Sequence, residues 1–150
     1  MIVKFINSSL IGFVLVLLIE FLLFIGIKIN YFDYYNIKEF YNIIFFDNNP
    51  FIITFLLMPI VGYAFLYSKY SKIVESAYIV VLFLSFTTFY SHVGKKLGES
   101  FFRKDDLNFR VGKIVFQGSL LYNGRKMIYI YREDIDKVIV LESREVEVLE

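Results

Sequence analysis

The sequence contains no cysteine and no tryptophan, and only one histidine and two prolines among 150 residues. Without cysteine the chain cannot form a disulfide scaffold, a thiolate zinc site, an iron–sulfur cluster or a cysteine nucleophile. The single histidine, His92, excludes a bis-histidine haem and an HExxH zinc motif within one chain. The sequence also lacks a glycine-rich phosphate loop, a serine triad and a paired-carboxylate motif. We therefore predict no metal, no cofactor and no enzymatic activity.

Charged residues are scarce in the first two thirds of the chain. Hydrophobic residue types make up 57% of the sequence and charged types 21%. Ten charged residues lie within residues 1–94, whereas 21 lie within residues 95–150. A soluble chain of this length exposes much of its surface and needs polar cover there. The distribution therefore predicts a membrane-embedded part followed by a soluble part. The net charge of +1 provides no overall field to attract a nucleic acid duplex.

Three apolar runs predict three transmembrane helices, at about residues 5–28, 50–68 and 73–94. Asn49-Pro50 is typical of a helix start, and the short polar segment at residues 69–72 is typical of a tight turn. We therefore expect the second and third helices to form a hairpin. Apolar residues at helical spacing also predict an interfacial amphipathic helix at about residues 34–46. A cap over the bundle is the alternative for this segment.

Positive charges near the ends of these segments predict the orientation. In a three-span protein, one side carries three basic residues: Lys4, Lys69 and Lys72. The other side carries seven: Lys28, Lys38, Lys95, Lys96, Arg103, Lys104 and Arg110. Because cytoplasmic loops are enriched in Lys and Arg, the second side and the C-terminal part are predicted to be cytoplasmic. The expected location is a bacterial-type inner membrane.

The remaining chain divides into a basic segment at residues 95–112 and a β module at residues 113–150. In the basic segment, Lys95, Lys96, Arg103 and Lys104 are candidates for contact with anionic lipid headgroups. Their alternative role is only to orient the protein in the membrane. Gly94 and Gly98 have the spacing of a helix-dimerisation motif, but the residues around them are not apolar.

Within residues 113–150, Asn123-Gly124 is a strong hairpin signal between two β-rich stretches. Two further turns predict an antiparallel meander of about four strands, a partial barrel similar in outline to an SH3-like or Sm-like barrel. The predicted fold is thus an α+β membrane protein. About 38 residues of sheet are too few to offset the entropy of ordering them. We therefore expect further copies of the chain to complete the sheet in a homo-oligomer, or a different protein to dock on it.

Glu20 lies inside the first apolar run, where a carboxylate costs a few kcal/mol and is a functional candidate by default. Thr87, Thr88 and His92 are expected at reachable depths as its partners. Tyr78, Ser85 and His92 recur every seven residues, with Thr88 beside them, and form a polar stripe on the third helix. Both features allow two interpretations, hydrogen bonding between helices or the lining of a narrow conduit.

Basic residues surround the predicted hairpin and are candidates for binding an anionic ligand: Arg125, Lys126, Arg132 and Lys137. Acidic residues crowd the same turn, at Glu133, Asp134 and Asp136, so an ordinary solvated surface is the alternative.

The functional hypothesis is a non-enzymatic, oligomeric membrane protein. Its cytoplasmic β module senses a ligand or partner and regulates the transmembrane bundle, as in a channel-like or membrane-acting effector. The alternative is an accessory, assembly or immunity subunit that docks on a larger membrane complex or a toxin. An enzyme acting on lipid is a third interpretation, for which the sequence shows no motif.

Overall fold

The computed structural model describes residues 1–149, which form two compact units. The helical unit consists of Met1–Gly26 and Phe40–Tyr90. The sheet unit consists of Ile27–Glu39 and the chain from Ser91 onward. The chain passes between the two units three times, so each unit combines segments that are distant in sequence.

The helical unit contains four α-helices: α1 (Ile2–Ile27), α2 (Tyr41–Asn48), α3 (Phe51–Tyr67) and α4 (Ser71–Thr87). The last residue of α1 belongs to the sheet unit. A π-helical turn, Lys28–Phe32, follows α1, and this continuous segment is long and apolar enough to cross a membrane. The other helices reach the length and hydropathy of a membrane span only as two pairs, each counted as one span. The pairs are α2 with α3, and α4 with the helix after it.

Most large apolar side chains of the helical unit are exposed. On α3 and α4, for example, Ile52 is 78% exposed and Phe83 is 69% exposed. The buried large apolar side chains of this unit are Val16, Phe24, Ile44, Phe45 and Met58. An exposed apolar surface of this extent marks contact with lipid or with another protein.

Small residues bring α1 and α3 into backbone contact. A Cβ atom on Gly12 would lie 1.7 Å from the carbonyl oxygen of Met58. A Cβ atom on Gly62 would lie 1.8 Å from the carbonyl oxygen of Ser8. Any larger residue at either glycine would force the helices apart. Such close approach is the usual way in which helices associate in lipid.

The helix predicted at residues 73–94 is in fact two helices. α4 ends at Thr87, and α5 (Ser91–Phe102) begins after a short turn and belongs to the sheet unit. The N–H groups of residues 88–90 each donate to the carbonyl oxygen three residues earlier, which tightens the chain after α4. No glycine or proline marks this break.

The interfacial helix expected at about residues 34–46 is shorter and begins only at Tyr41. Asn36 adopts a left-handed conformation with a φ of 55°, which ends the preceding turn. Ile37 is buried in the sheet unit, whereas Ile44 and Phe45 are buried in the helical unit. The helical spacing of these apolar residues therefore comes from two separate cores.

Five antiparallel strands form the sheet: β1 (Lys104–Val111), β2 (Ile114–Asn123), β3 (Met127–Arg132), β4 (Lys137–Glu142) and β5 (Val146–Leu149). The strand order is β4-β3-β2-β1-β5, so the sheet is open with β4 and β5 at its edges. β2 and β3 form the predicted hairpin, but its connection is residues 124–126, because Asn123 still pairs with Ile128 and the Gly124 N–H donates to the Met127 carbonyl at 2.9 Å.

All five strands contribute side chains to one core. Its buried members are Phe109, Leu120, Ile128 and Ile130, and Leu107, Phe116, Leu141 and Val146 pack against them. Because β4 and β5 lie at opposite edges, side chains from both can reach one cluster only if the sheet curls around it.

The other face of the sheet is covered by helical segments of the same unit. Phe32 of the π-helical turn and Phe102 of α5 contact Tyr122, with ring centroids 5.0 and 5.8 Å apart. The Tyr31 hydroxyl donates to the carbonyl oxygen of Leu121 at 2.7 Å. The chain therefore supplies much of the cover that the sequence argument assigned to other copies.

β1 lies where the sequence predicts a polar segment. The run Lys104-Asp105-Asp106 obscured the alternation that follows it, in which Leu107, Phe109 and Val111 are more buried than their neighbours. β1 pairs with both β2 and β5, so the last strand returns to β1 and does not extend the meander beyond β4. The sheet unit therefore extends beyond the predicted residues 113–150, because it also contains residues 27–39 and 91–112.

Substitution of Gly98 tests the contact between α5 and the π-helical turn. A Cβ atom at Gly98 would lie 2.3 Å from the Cβ atom of Tyr31. Gly98→Leu should therefore destabilise the sheet unit by about 1–3 kcal/mol or more, as overpacking does. Thermal unfolding followed by circular dichroism measures the effect. Ser100→Leu, at an exposed position of the same helix, is the control. Equal melting temperatures for Gly98→Leu and Ser100→Leu would contradict the contact between α5 and the π-helical turn.

Candidate functional site

Glu20 accepts hydrogen bonds from two side chains of the α2–α3 junction. Asn49 Nδ2 donates to Oε2 at 2.8 Å, and Thr54 Oγ1 donates to Oε1 at 2.7 Å. Asn49 is 7% exposed and Thr54 is 1% exposed. Within residues 1–149, no Lys, Arg or His forms an ion pair with Glu20. We call these three residues the Glu20 cluster. Its donors replace Thr87, Thr88 and His92, the partners expected from the sequence.

The local sequence explains how the Glu20 cluster forms. Pro50 has no N–H and cannot continue α2, and the chain bends by 80° between α2 and α3. Asn49 therefore lies outside both helices, where its side chain reaches α1. Thr54 lies one turn into α3, with Oγ1 3.1 Å from Asn49 Oδ1. Each side chain of the cluster thus has a polar partner, as buried polar groups require.

An apolar cavity of about 380 Å³ adjoins Glu20 between α1, α3 and α4. Glu20 and Tyr78 are the polar side chains of its lining, and the rest are aliphatic: Val16, Ile19, Leu57, Val61, Val74, Ala77 and Val81. The Tyr78 hydroxyl donates to the carbonyl oxygen of Leu15 at 3.1 Å. The volume falls within the range of small-molecule pockets, about 300–1,000 Å³.

The polar stripe predicted on the third helix is divided between the two units. Ser85 and Thr88 are 4% and 1% exposed. Their hydroxyls donate to carbonyl oxygens of α4, those of Val81 at 3.0 Å and Ser85 at 2.7 Å. A Cβ atom on Gly26 would lie 1.9 Å from Thr88 Oγ1, so α1 and the end of α4 are in close contact. His92 lies on α5, is exposed, and does not continue the stripe.

Sequence reasoning did not single out Ser8, Gly12 or Thr54, and it used Asn49 only as a helix start. Gly12 follows Ser8 by four residues, one turn later on the same face of α1, and Glu20 follows Gly12 by eight residues, roughly 80° further around the helix. Hydrophobic periodicity is uninformative in a uniformly apolar helix, but the positions of small and polar residues mark its packing face. That spacing was the available signal for α1. No comparable signal in the sequence points to the bonds of Asn49 and Thr54 with Glu20.

In the sheet unit, Arg103 joins α5 to the sheet. Its Nε donates to Asp105 Oδ1 at 2.6 Å, and its two terminal nitrogens donate to Tyr35 at 3.4 Å and Ser119 at 3.5 Å. Tyr35 in turn donates to Glu99 Oε1 at 2.7 Å. Hydrogen bonds from Arg103 and Ser119 hold the pKa of Asp105 below its ordinary value. Burial and the bond to Glu99 raise the pKa of Tyr35. Arg103 therefore acts as a structural link.

Three other residues are predicted to contact lipid headgroups, and they differ in how far their side chains are exposed: Lys95, Lys96 and Lys104. Lys95 Nζ lies 3.7 Å from the ring centroid of Tyr34 and 3.9 Å from Glu99 Oε1. Lys96, on α5, and Lys104, at the start of β1, are exposed. Lys96 and Lys104 are thus the members of the set whose side chains face solvent.

The four basic residues predicted to bind an anionic ligand do not form one site. Arg125 and Lys126 lie in the turn before β3, whereas Arg132 ends β3 and is paired with Lys137 of β4. At about 3.3 Å per residue, the strand separates Lys126 from Arg132 by roughly 20 Å. Arg132 also forms an ion pair with Asp134. A ligand of ordinary size can therefore contact only one of the two pairs.

Removal of the Glu20 side chain tests whether its cluster stabilises the helical unit. Glu20→Ala leaves the Asn49 amide without the Glu20 acceptor, at a cost of about 1–3 kcal/mol, whereas Thr54 Oγ1 can still donate to Asn49 Oδ1. Glu20→Gln keeps one acceptor oxygen and should recover part of the loss. The free energy of unfolding in mixed micelles is the measurement, with Glu75→Ala, an exposed carboxylate on α4, as the control. Equal stability of Glu20→Ala and Glu75→Ala would refute the role of the cluster.

Comparison with known proteins provides no functional assignment. No protein-family model, curated protein or solved structure matches the chain. Over residues 1–149, no group of three His, Asp or Glu side chains is arranged to hold a metal ion. The geometry and charge of the two units are therefore the grounds for any functional conclusion.

Proposed function

We propose that the chain is a non-enzymatic integral membrane protein with three transmembrane spans and a cytoplasmic sheet unit. In this proposal the sheet unit senses a ligand or partner and regulates the bundle, as in a channel-like or membrane-acting effector. One observation carries the proposal: the sheet unit combines the segment that follows α1 with the segment that follows α4. A ligand that shifts the sheet unit therefore acts on the ends of both helices, because they are covalently joined to it.

The composition of the sheet unit also constrains the number of spans. Residues 27–39 and the chain from Ser91 onward form one compact unit and so share one side of the membrane. The chain between them must cross an even number of times. α3 and α4 have 17 residues each, which at 1.5 Å per residue is about 26 Å. Two crossings by this hairpin, together with α1, make three spans. A re-entrant hairpin is the other even solution.

The distribution of basic residues supports a cytoplasmic location for the sheet unit. Segments of this unit carry Lys28, Lys38, Lys95 and Lys96, whereas the far ends of the helices carry Lys4, Lys69 and Lys72. The excess of basic residues near the membrane thus lies on the side of the sheet unit, as cytoplasmic segments show. Exposed Lys96 and Lys104 would then contact anionic lipid headgroups.

Open edges and exposed apolar residues of the sheet unit support a homo-oligomer. Among residues 1–149, no strand pairs with the outer side of β4 or of β5. Val140 of β4 is 47% exposed and Val148 of β5 is 37% exposed. An open strand edge with apolar side chains is a template for pairing with another chain. The strand order and shared core also support the partial barrel, SH3-like in outline, that the sequence suggested.

The absence of cysteine makes the topology directly measurable. We expect Lys69→Cys and Lys126→Cys to react with a membrane-impermeant maleimide from opposite sides of sealed vesicles. Val80→Cys, at an exposed apolar position within α4, should stay unlabelled in lipid and serves as the control. Labelling of Lys69→Cys and Lys126→Cys from the same side would make the hairpin re-entrant and the three-span proposal wrong.

Native mass spectrometry after mild cross-linking tests the oligomer. We expect a homo-oligomer that Val140→Lys or Val148→Lys weakens, because a charge at an edge strand opposes pairing. Ile135→Lys, at an exposed position in the β3–β4 turn, is the control and should leave the number of chains in the oligomer unchanged.

A monomer would contradict the oligomer, and the absence of ion flux from liposomes under any condition would contradict the channel-like form. Stable capture of one defined different protein, with no homo-oligomer, would favour the alternative of an accessory, assembly or immunity subunit.

A further inference from the structure

We infer that the cavity beside Glu20 binds a lipophilic amine, with its apolar body among the aliphatic side chains of α1, α3 and α4 and its protonated nitrogen paired with the Glu20 carboxylate. The inference goes beyond the proposed function. It depends only on the helical unit, because every residue of the cavity belongs to that unit. The inference is the same whatever the number of transmembrane spans or the number of chains in the oligomer.

The first observation is that no basic side chain within residues 1–149 forms an ion pair with Glu20. Its two oxygens each accept one hydrogen bond from a neutral donor, Asn49 and Thr54. A carboxylate has about four acceptor positions, so lone pairs remain for a further partner. In a helix apolar enough to cross a membrane, a carboxylate is costly unless its charge is compensated. The Glu20 cluster orients the carboxyl group but supplies no compensating charge.

The second observation is the lining of the cavity. The cavity of about 380 Å³ is large enough for a small apolar molecule, and its walls are aliphatic apart from Glu20 and Tyr78. The bond from the Tyr78 hydroxyl to the Leu15 carbonyl holds the phenol in place. An aromatic face attracts a cation, so Tyr78 and Glu20 favour the same charge on a ligand.

Other ligand classes fit less well. An anion would meet the Glu20 carboxylate with no basic side chain in the lining to compensate it. A neutral hydrocarbon would fill the space but leave the carboxylate unpaired. A protonated amine in the cavity would pair with the Glu20 carboxylate through a charge-assisted hydrogen bond, so no covalent bond forms or breaks.

Binding of 1-(dimethylaminomethyl)naphthalene to the full chain in detergent micelles tests the inference. Naphthalene fluorescence reports binding against empty micelles, since the chain contains no Trp. Its neutral isostere, 1-(2-methylpropyl)naphthalene, has the same shape without the charge. We expect the amine to bind at least about tenfold more tightly than the isostere. Glu20→Gln should remove this preference by weakening the amine alone, and Glu75→Gln, the control carboxylate on α4, should keep it.

Val74→Phe provides a second variant in case Glu20→Gln does not fold. The added ring occupies the cavity, so it should weaken the amine and the isostere alike while the carboxyl group remains. Three results would each overturn the inference: equal amine affinity in wild type and Glu20→Gln, equal affinity of the two probes in wild type, or unchanged binding in Val74→Phe. Cysteine labelling and native mass are separate readouts, so failure of this site and failure of the proposed function are distinguishable.

Discussion

Backbone contact between α1 and α3 is the constraint on which the helical unit depends. When almost every position of a helix is apolar, hydrophobicity does not select the face that packs, so close approach and buried polar groups determine which faces meet. Gly12 against Met58 and Gly62 against Ser8 set the position of α1 along α3. That position brings Glu20 to the α2–α3 junction. It also leaves the cavity between three helices, where aliphatic side chains do not fill the space beside the carboxyl group.

The sheet unit depends on covering both faces of its sheet, and it does so with segments from two parts of the chain. A small curled sheet has two faces to cover, and only one of them can be filled by side chains of its own strands. The π-helical turn and α5 cover the second face through aromatic contacts and through the Tyr31 bond to the Leu121 carbonyl. Arg103 then links α5 to β1 and β2 by hydrogen bonds. The unit is therefore covered on both faces, while its strand edges stay open.

Local signals predicted the elements that depend on local chemistry. The apolar first run became α1, Asn49-Pro50 marked the start of α3, and the hairpin predicted at Asn123-Gly124 formed with its connection at residues 124–126. The predictions from sequence failed where the structure depends on contacts between residues far apart in the chain. The break after α4 has no glycine or proline, and the charged start of β1 resembles a loop until its pairing with β2 and β5 is known. Asn49 and Thr54 look like ordinary polar residues of a helix start until Glu20 is placed beside them.

The sequence by itself determined the division between an apolar and a charged part, the uniformly apolar α1 with its single carboxylate, and the presence of a β module. These properties follow from composition and short-range periodicity, which require no knowledge of what packs against what. Only the tertiary structure decided the partners of Glu20, the cavity beside it, and the inclusion of residues 27–39 in the sheet unit. Each of these depends on contacts between residues far apart in the chain. Hydrophobic patterning cannot specify such contacts when most positions of a helix are equally apolar.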